Sequence, residues 1–374
     1  MYPVGIDWSE KYLDYCIKNE IDDTIKRGRV DNNEDGFNNL MKSFLDSNIK
    51  LTDIAVAIES PHQLVVDFLL ARGISVYPVN PTAVRNYRKS HKLSGSKSDE
   101  SDAELIASYL FVHYKTLRVW KLSEPKLRQL KLLVSDRDKV VEEKVRLQNQ
   151  LRSALLNYFP QALLAFGDIT CETALDFLYK FPTYQAIEGQ KEEYWKLFLD
   201  SHRVFNPKAR QRFFSAIKSK QRTIDEAVVN AKSLLVLTIV SQLRPLILAL
   251  KEYQKQIESL LKEFDDGNLF QSLPGVDVII AAKLLVHIGI DREQFADANE
   301  LQNYFGTVPY TKKSGKYRGI HFRFACHKVM RATLHQMALA SLRCSIWARK
   351  YFDKKRKEGK RASHALRCLA NCRL

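Results

Sequence analysis

Apolar and polar positions follow three successive rhythms along the chain. Near the N-terminus the rhythm is short. VGIDWS is a brief apolar run ending in an acid, YLDYCIKN alternates and can pair with it as a hairpin, and TIKRGRVDN reads as a third, more polar strand. GFNNLMKSFLDS has helical spacing, DIAVAIES is a fully apolar strand ending in an acid, HQLVVDFLLARG is an amphipathic helix closed by Gly73, and ISVYPVNP is another strand.

The rhythm lengthens between about 121 and 265, where no segment reads as a strand. An a/d register runs through Leu127, Leu130, Val134, Arg137, Val141, Lys144, Gln148, Leu151, Leu155 and Tyr158, with polar interruptions that can set register. A second stripe, Leu243, Leu246, Leu250, Tyr253, Ile257, Leu260 and Phe264, steps by three and four without a break and needs a partner helix, from the same chain or from another copy. From 266 onward, LPGVDVIIAAKLLVHIG reads as a turn leading into a small-residue helix. It resembles a helix-hairpin-helix, in which turn amides grip a phosphate, although Asp277 stands where a second glycine is common. A flexible loop around Ser314 follows, then a basic helix from about Cys326 to Lys350.

These rhythms predict an α/β plus all-α chain. Its regions are a ribonuclease-H-like α/β domain over 1–120, a helical coiled-coil assembly region over 121–265 and a basic, mostly helical domain over 266–374. A length of 374 residues suits two or three domains. No run comes near the ~18 apolar residues of a membrane span, and MYPVGIDWSE lacks the basic and apolar regions of a signal peptide, so a cytoplasmic protein is expected. The six cysteines are scattered and read as buried free thiols. His364, Cys368 and Cys372 share a helical spacing but do not make a structural zinc motif.

Charge changes the picture more. Residues 311–374 carry 18 Lys or Arg against two acids, Asp353 and Glu358, a net of +16 that equals the formal charge of the whole chain. The preceding residues are therefore balanced. Such a segment points to a polyanion, most simply nucleic acid. Its interleaved Phe322, Phe324, Met330, Leu334, Trp347 and Tyr351 argue that it folds, with the phenylalanines expected in the core.

Four acids stand out against the apolar frame. Asp7 and Glu59 each end an apolar strand, where an unpaired charge is costly. Asp99, read as an N-cap, and Asp102, in the first helical turn, project from one helical face. Together they make an oxygen-donor set for Mg2+ or Mn2+, as two-ion phosphoryl transfer requires. Ser314 lies beside Gly315, among Lys312, Lys313, Lys316 and Arg318. A hydroxyl there can serve as a nucleophile toward phosphate, with the cations orienting it. Arg323, Lys328 and Arg331 extend the candidate nucleic-acid-binding set.

The stretches GIDWSEKYLDYCI, AIES, VYPVNPTAVRNYRKS, KSDESDAELIA, LPGV and FGTVPYTKKSGKYRG together resemble the insertion-sequence one-ten transposases, the bridge-RNA-guided recombinases, over nearly the whole chain. The resemblance implies a RuvC-like domain whose Asp-Glu-Asp-Asp tetrad falls on Asp7, Glu59, Asp99 and Asp102, and a serine nucleophile on Ser314. It also implies double-stranded donor and target DNA, a structured noncoding guide RNA and a homo-oligomer, dimer or tetramer, in a nucleoid-associated cytoplasmic setting. Two rival readings stay open. One is a RuvC-like junction-resolving endonuclease that uses water; the other is a non-catalytic nucleic-acid-binding scaffold.

Overall fold

A computed structural model describes residues 1–47, 49–59, 64–91, 99–120, 124–220, 224–290, 295–315 and 317–372. The chain forms two compact units, Met1–Ser123 and Glu124–Leu374.

In the first unit the predicted strands become β1 (Tyr2–Trp8), β2 (Tyr12–Lys18) and β3 (Thr24–Asp31), followed by α1 (Glu34–Asp46), β4 (Ile54–Ile58), α2 (Leu64–Leu70), β5 (Ser75–Pro78), α3 (Pro81–His91) and α4 (Asp99–His113). The sheet order is β3-β2-β1-β4-β5. The first three strands are antiparallel, and β1, β4 and β5 are parallel. Strands β1 and β4 read as continuous apolar runs because both of their faces are covered. On one face Val4, Ile6, Val56 and Ile58 pack with Phe37, Leu40 and Phe44 of α1 and Val65 and Leu69 of α2. On the other, Ala55 and Ala57 meet Leu105, Ile106 and Leu110 of α4. At the outer edge, β3 alternates half-buried and exposed residues, as an edge strand with one wet face does.

Helix α4 lies unusually close to β1. A Cβ built on Gly5 would sit 2.0 Å from the Ala103 carbonyl oxygen and 2.5 Å from the Ala107 nitrogen, so only glycine admits the helix at this crossing. Asp99 is the first residue of α4 rather than its N-cap.

The second unit is built on two long helices, α5 (Pro125–Tyr158) and α11 (Glu226–Leu261), with the short helices α6 to α10 between residues 160 and 218. Their pairing settles the partner of the two heptad stripes. Leu147, Leu151, Leu155 and Tyr158 of α5 join Val236, Val240 and Leu243 of α11 around an aromatic core that holds Phe177, Trp195 and Phe213. At the other end, Leu127, Leu130 and Val134 pack with Ile257 and Leu261 in a second core. Between these cores Arg137, Val141, Leu246, Leu250 and Tyr253 are only half-buried, which is where the predicted register is polar. Contrary to the sequence expectation, α11 is by length and composition a helix long and apolar enough to cross a membrane. One stripe of it is buried, while Leu234 and Leu248 stay exposed.

The second core also gathers α12 (Asp265–Gln271), α13 (Val278–Ile288), α14 (Ala298–Phe305), α15 (Lys328–Cys344), α16 (Ile346–Lys357) and α17 (Ala362–Asn371), with the hairpin β6 (Tyr310–Ser314) and β7 (Tyr317–His321) between α14 and α15. Four expectations need correction here. The single basic helix from Cys326 to Lys350 breaks at Ser345, whose extended backbone ends α15 and whose side chain caps α16 through the Ala348 amide. The helix-hairpin-helix turn leads into α13, but Asp277 caps that helix by accepting from the Ile280 amide, so the N-terminus already carries its own carboxylate instead of an open phosphate grip. Phe324 is 74% exposed and Phe322 half-buried, so neither belongs to the core. All six cysteines are free, yet only Cys16 is fully buried, and Cys344 and Cys372 are exposed.

Candidate active site

The pairing register carries one row of charge across four strands. Asp7 of β1 stands opposite Asp14 of β2, and Asp14 opposite Arg29 of β3. On the other side Ile6 pairs with Ile58, so Glu59, the next residue after β4, follows beside Asp7. Side chains alternate along a strand, so these residues share the face of Gly5, Ala57 and Cys16, the face that α4 covers. Asp7 is half-buried and Glu59 is exposed.

Asp14 and Arg29 were not singled out by sequence reasoning. Asp14 is only 5% exposed, and Arg29 grips it in a two-point fork, Nε to Oδ1 at 2.8 Å and Nη2 to Oδ2 at 3.0 Å. An acid inside the otherwise apolar YLDYCI was the available signal. Its partner, fifteen residues on, could be found only by register.

Asp102 lies in the first turn of α4, next to the Ala103 that touches β1, and its carboxylate is held by Arg88 of α3. Glu104, two residues on, pairs with Arg27 of β3 at 2.8 Å, which ties α4 to the sheet edge. The side chain of Asp99 lies outside the described residues. The donor set of Asp7, Glu59 and Asp102 is all carboxylate oxygen, the chemistry that a hard divalent cation takes. Among the described residues, no group of three or more His, Cys, Asp or Glu converges closely enough to hold an ion. The structure thus aligns Asp7 with Glu59 and leaves Asp102 engaged with Arg88.

Ser314 falls in the second unit. Expected in a flexible loop, it is instead the last residue of β6, paired with Tyr317 across a two-residue turn, and it is exposed. Gly315 has φ of 55°, the left-handed conformation that such hairpin turns need. Lys312, Lys313, Arg318 and Lys328 are exposed, and Arg323 and Arg331 are half-buried. Lys316 lies outside the described residues. The hairpin therefore presents a hydroxyl at its tip with cations along both strands.

A family model described as a transposase of the DEDD IS110 type matches residues 4–160, and one described as the IS116/IS110/IS902 transposase family matches residues 267–353. The chain belongs to the IS110 family of transposases. Two distinct family segments thus fall on the carboxylate-bearing sheet and on the basic hairpin.

This transposase has relatives that match over much of their length. The IS117 mini-circle transposase candidate of Streptomyces coelicolor is 28% identical over 98% of this chain and 90% of its own. A 42 kDa protein of insertion element IS900 from Mycobacterium paratuberculosis is 26% identical over 83% of this chain and 77% of its own. The transposase of IS1111A from Coxiella burnetii is 23% identical over 66% of this chain and 53% of its own. The protein is accordingly a DNA-processing enzyme of transposition and recombination, in a family that is typically dependent on a divalent metal.

Proposed function

We propose that this transposase cuts and rejoins DNA strands with Ser314 as the attacking nucleophile and with Mg2+ or Mn2+ held by Asp7, Glu59, Asp99 and Asp102 of a RuvC-like, ribonuclease-H-like domain. The observation that carries the reading is the exposed hydroxyl at the tip of a cationic hairpin, paired with Tyr317 on the facing strand and next to a left-handed glycine. Four flanking cations suit a hydroxyl that meets a phosphodiester, because they orient the phosphate and offset charge on its oxygens.

Bound at the carboxylates, a divalent cation would supply Lewis-acid charge to the phosphate oxygens. The remaining steps belong to the chain. Lys312, Lys313, Lys316 and Arg318 hold the phosphate and offset charge that develops on its oxygens. Ser314 Oγ forms a bond to phosphorus as the bond from phosphorus to the 3′ oxygen breaks. The hydroxyl loses one proton and the departing 3′ oxygen gains one. The phosphoserine ester conserves the phosphodiester bond, so a 3′-hydroxyl from another strand can attack the same phosphorus and restore the serine without ATP.

In this reading the sequence of donor and target DNA is selected by pairing with a structured noncoding guide RNA, and the protein reads backbone and shape. The net +16 concentrated after residue 310 supports a nucleic-acid partner. Exposed Leu234 and Leu248 on α11 support assembly into a dimer or tetramer through the region 121–265. Residues 266–374 are then the serine-bearing transposase domain, working in the cytoplasm at the nucleoid.

The test is a denaturing gel of the protein with its element-encoded RNA, Mg2+ and labelled double-stranded DNA carrying the element junction. A labelled band at the mass of the protein in the wild type, absent in Ser314→Ala, is expected. Cleaved DNA without an adduct in either protein would transfer the chemistry to water and reduce Ser314 to a turn residue.

A further inference from the structure

In the second unit, beside the base of the hairpin, cations gather without counter-charge. Arg331 and His335 lie four apart on α15 and share a face, Arg367 comes from α17, and Phe322 and Arg323 belong to the segment that leaves β7. The Arg331 and Arg367 guanidinium carbons lie 4.7 and 4.2 Å from the centroid of the Phe322 ring. That is cation-π distance for both. Arg331 Nη1 also donates to the Arg323 backbone carbonyl at 2.8 Å, which fixes the Arg331 guanidinium to the segment leaving β7.

Two facts make this cluster more than packing. Among the described residues no carboxylate pairs with Arg323, Arg331 or Arg367. The two acids after residue 310 are Asp353 and Glu358, and Glu358 is taken by Lys355 and Lys360. In addition, His335 Nε2 is buried without a hydrogen-bond partner, and buried polar atoms are normally satisfied. Burial, and then the neighbouring Arg331 charge, lowers the pKa of Arg367. Burial followed by Arg367 and Arg331 lowers that of His335. The fold thus holds like charges together against their repulsion, an arrangement that becomes favourable when an anion with several acceptor oxygens enters.

We propose that Arg331, His335 and Arg367 form a cradle for one backbone phosphate of a nucleic-acid strand, with Phe322 holding the two guanidiniums in place. The proposal rests on the reading that the hairpin engages a strand. Tyr310 pairs with His321 at the hairpin base and Ser314 with Tyr317 at its tip. The cradle therefore lies about 14 Å from the serine at ~3.4 Å per strand residue. A span of that length reaches a phosphate only a few nucleotides away on the same strand, which winds around the axis as it rises. The cradle phosphate is thus a neighbour of the one Ser314 attacks, and the pair of contacts sets where on the strand the hydroxyl falls.

The test measures the affinity of the full chain for a short labelled DNA duplex, and separately for an RNA duplex of the same sequence, as salt is raised. Wild type is compared with Arg331→Ala, Arg367→Ala and the control Lys196→Ala. Each cradle variant should weaken binding several-fold and flatten the slope of log affinity against log salt by about one, while the control changes neither. Flattening with DNA alone assigns the cradle to a DNA strand, and flattening with RNA alone to the guide. Thermal unfolding without nucleic acid supplies a second readout. Inorganic phosphate should raise the wild-type midpoint more than that of Arg367→Ala, and in low salt the variant should be no less stable than wild type. Unchanged slopes on both duplexes, with a lowered midpoint in both arginine variants, would make the arginines props for Phe322 and end the proposal. A cradle that behaves as expected in a chain that forms no serine adduct would sink the nucleophile assignment and leave the cradle standing.

Discussion

Replacing Gly5 by alanine tests whether the α4 crossing holds the carboxylates in place. The added methyl would stand 2.0 Å from the Ala103 oxygen and 2.5 Å from the Ala107 nitrogen, where van der Waals contact needs about 3.4 Å or more. Both obstacles are backbone atoms of one helix, so no rotamer change relieves them, and α4 must retreat by ~1 Å or more from β1. Overpacking of a core by one methyl group costs about 1–3 kcal/mol, and a clash with a rigid helix belongs at the upper end. For a unit of this size, ~3 kcal/mol lowers the melting midpoint by roughly 10 °C. The same displacement moves Asp102, adjacent to Ala103, away from the Asp7 and Glu59 row. A misplacement of ~1 Å at a reacting centre can lower the rate by about 100-fold. Thermal unfolding by circular dichroism, together with a strand-cleavage assay below the variant's midpoint, separates the two effects. A Gly5→Ala protein with wild-type midpoint and wild-type cleavage would refute the idea that α4 is seated through this glycine.

Arg29→Ala leaves the buried Asp14 carboxylate without its fork and should destabilise the first unit by about 2 kcal/mol. Asp14→Asn in the same chain should recover part of that loss, as a double-mutant cycle of denaturant unfolding would show. His287 is held neutral, its pKa lowered to about 4 by burial first and then by His327, Lys131 and Lys283. A histidine depressed below its unfolded value of ~6.5 contributes stability that is full above that pH and is lost as pH falls toward 4, about 3 kcal/mol at most. His287→Gln should flatten the fall of the unfolding free energy between pH 6.5 and 4, and an unchanged pH profile would contradict the assignment. Asp277→Ala removes the cap on α13 and should lower stability by about 1 kcal/mol, while Asp277→Asn, which keeps the accepting oxygen, should lower it by less.

The local elements and the charged residues they carry are legible from the residues alone. Strands β1, β2 and β4 were legible because an apolar run bounded by acids and turns reads the same wherever it lies in space. Asp7, Glu59 and Asp102 stood out because charge within or at the end of such an element needs a reason. The heptad stripes of α5 and α11 likewise announced a helical partner. What they could not announce was that each is the other's partner, because a stripe records only that a face is buried and not what buries it. The row from Glu59 through Asp7 and Asp14 to Arg29 exists only by strand register, which joins residues up to 52 positions apart. The hairpin at Ser314 escaped sequence reading because β6 is exposed along its whole length, so no apolar alternation marks it. Phe322 reads as a core residue in the sequence, whereas in the fold Arg331 and Arg367 stand against its ring. Local sequence fixes torsions and periodicity over a few residues, while the neighbours of a charge or a ring are chosen by packing between segments far apart in the chain, and those choices belong to the tertiary structure.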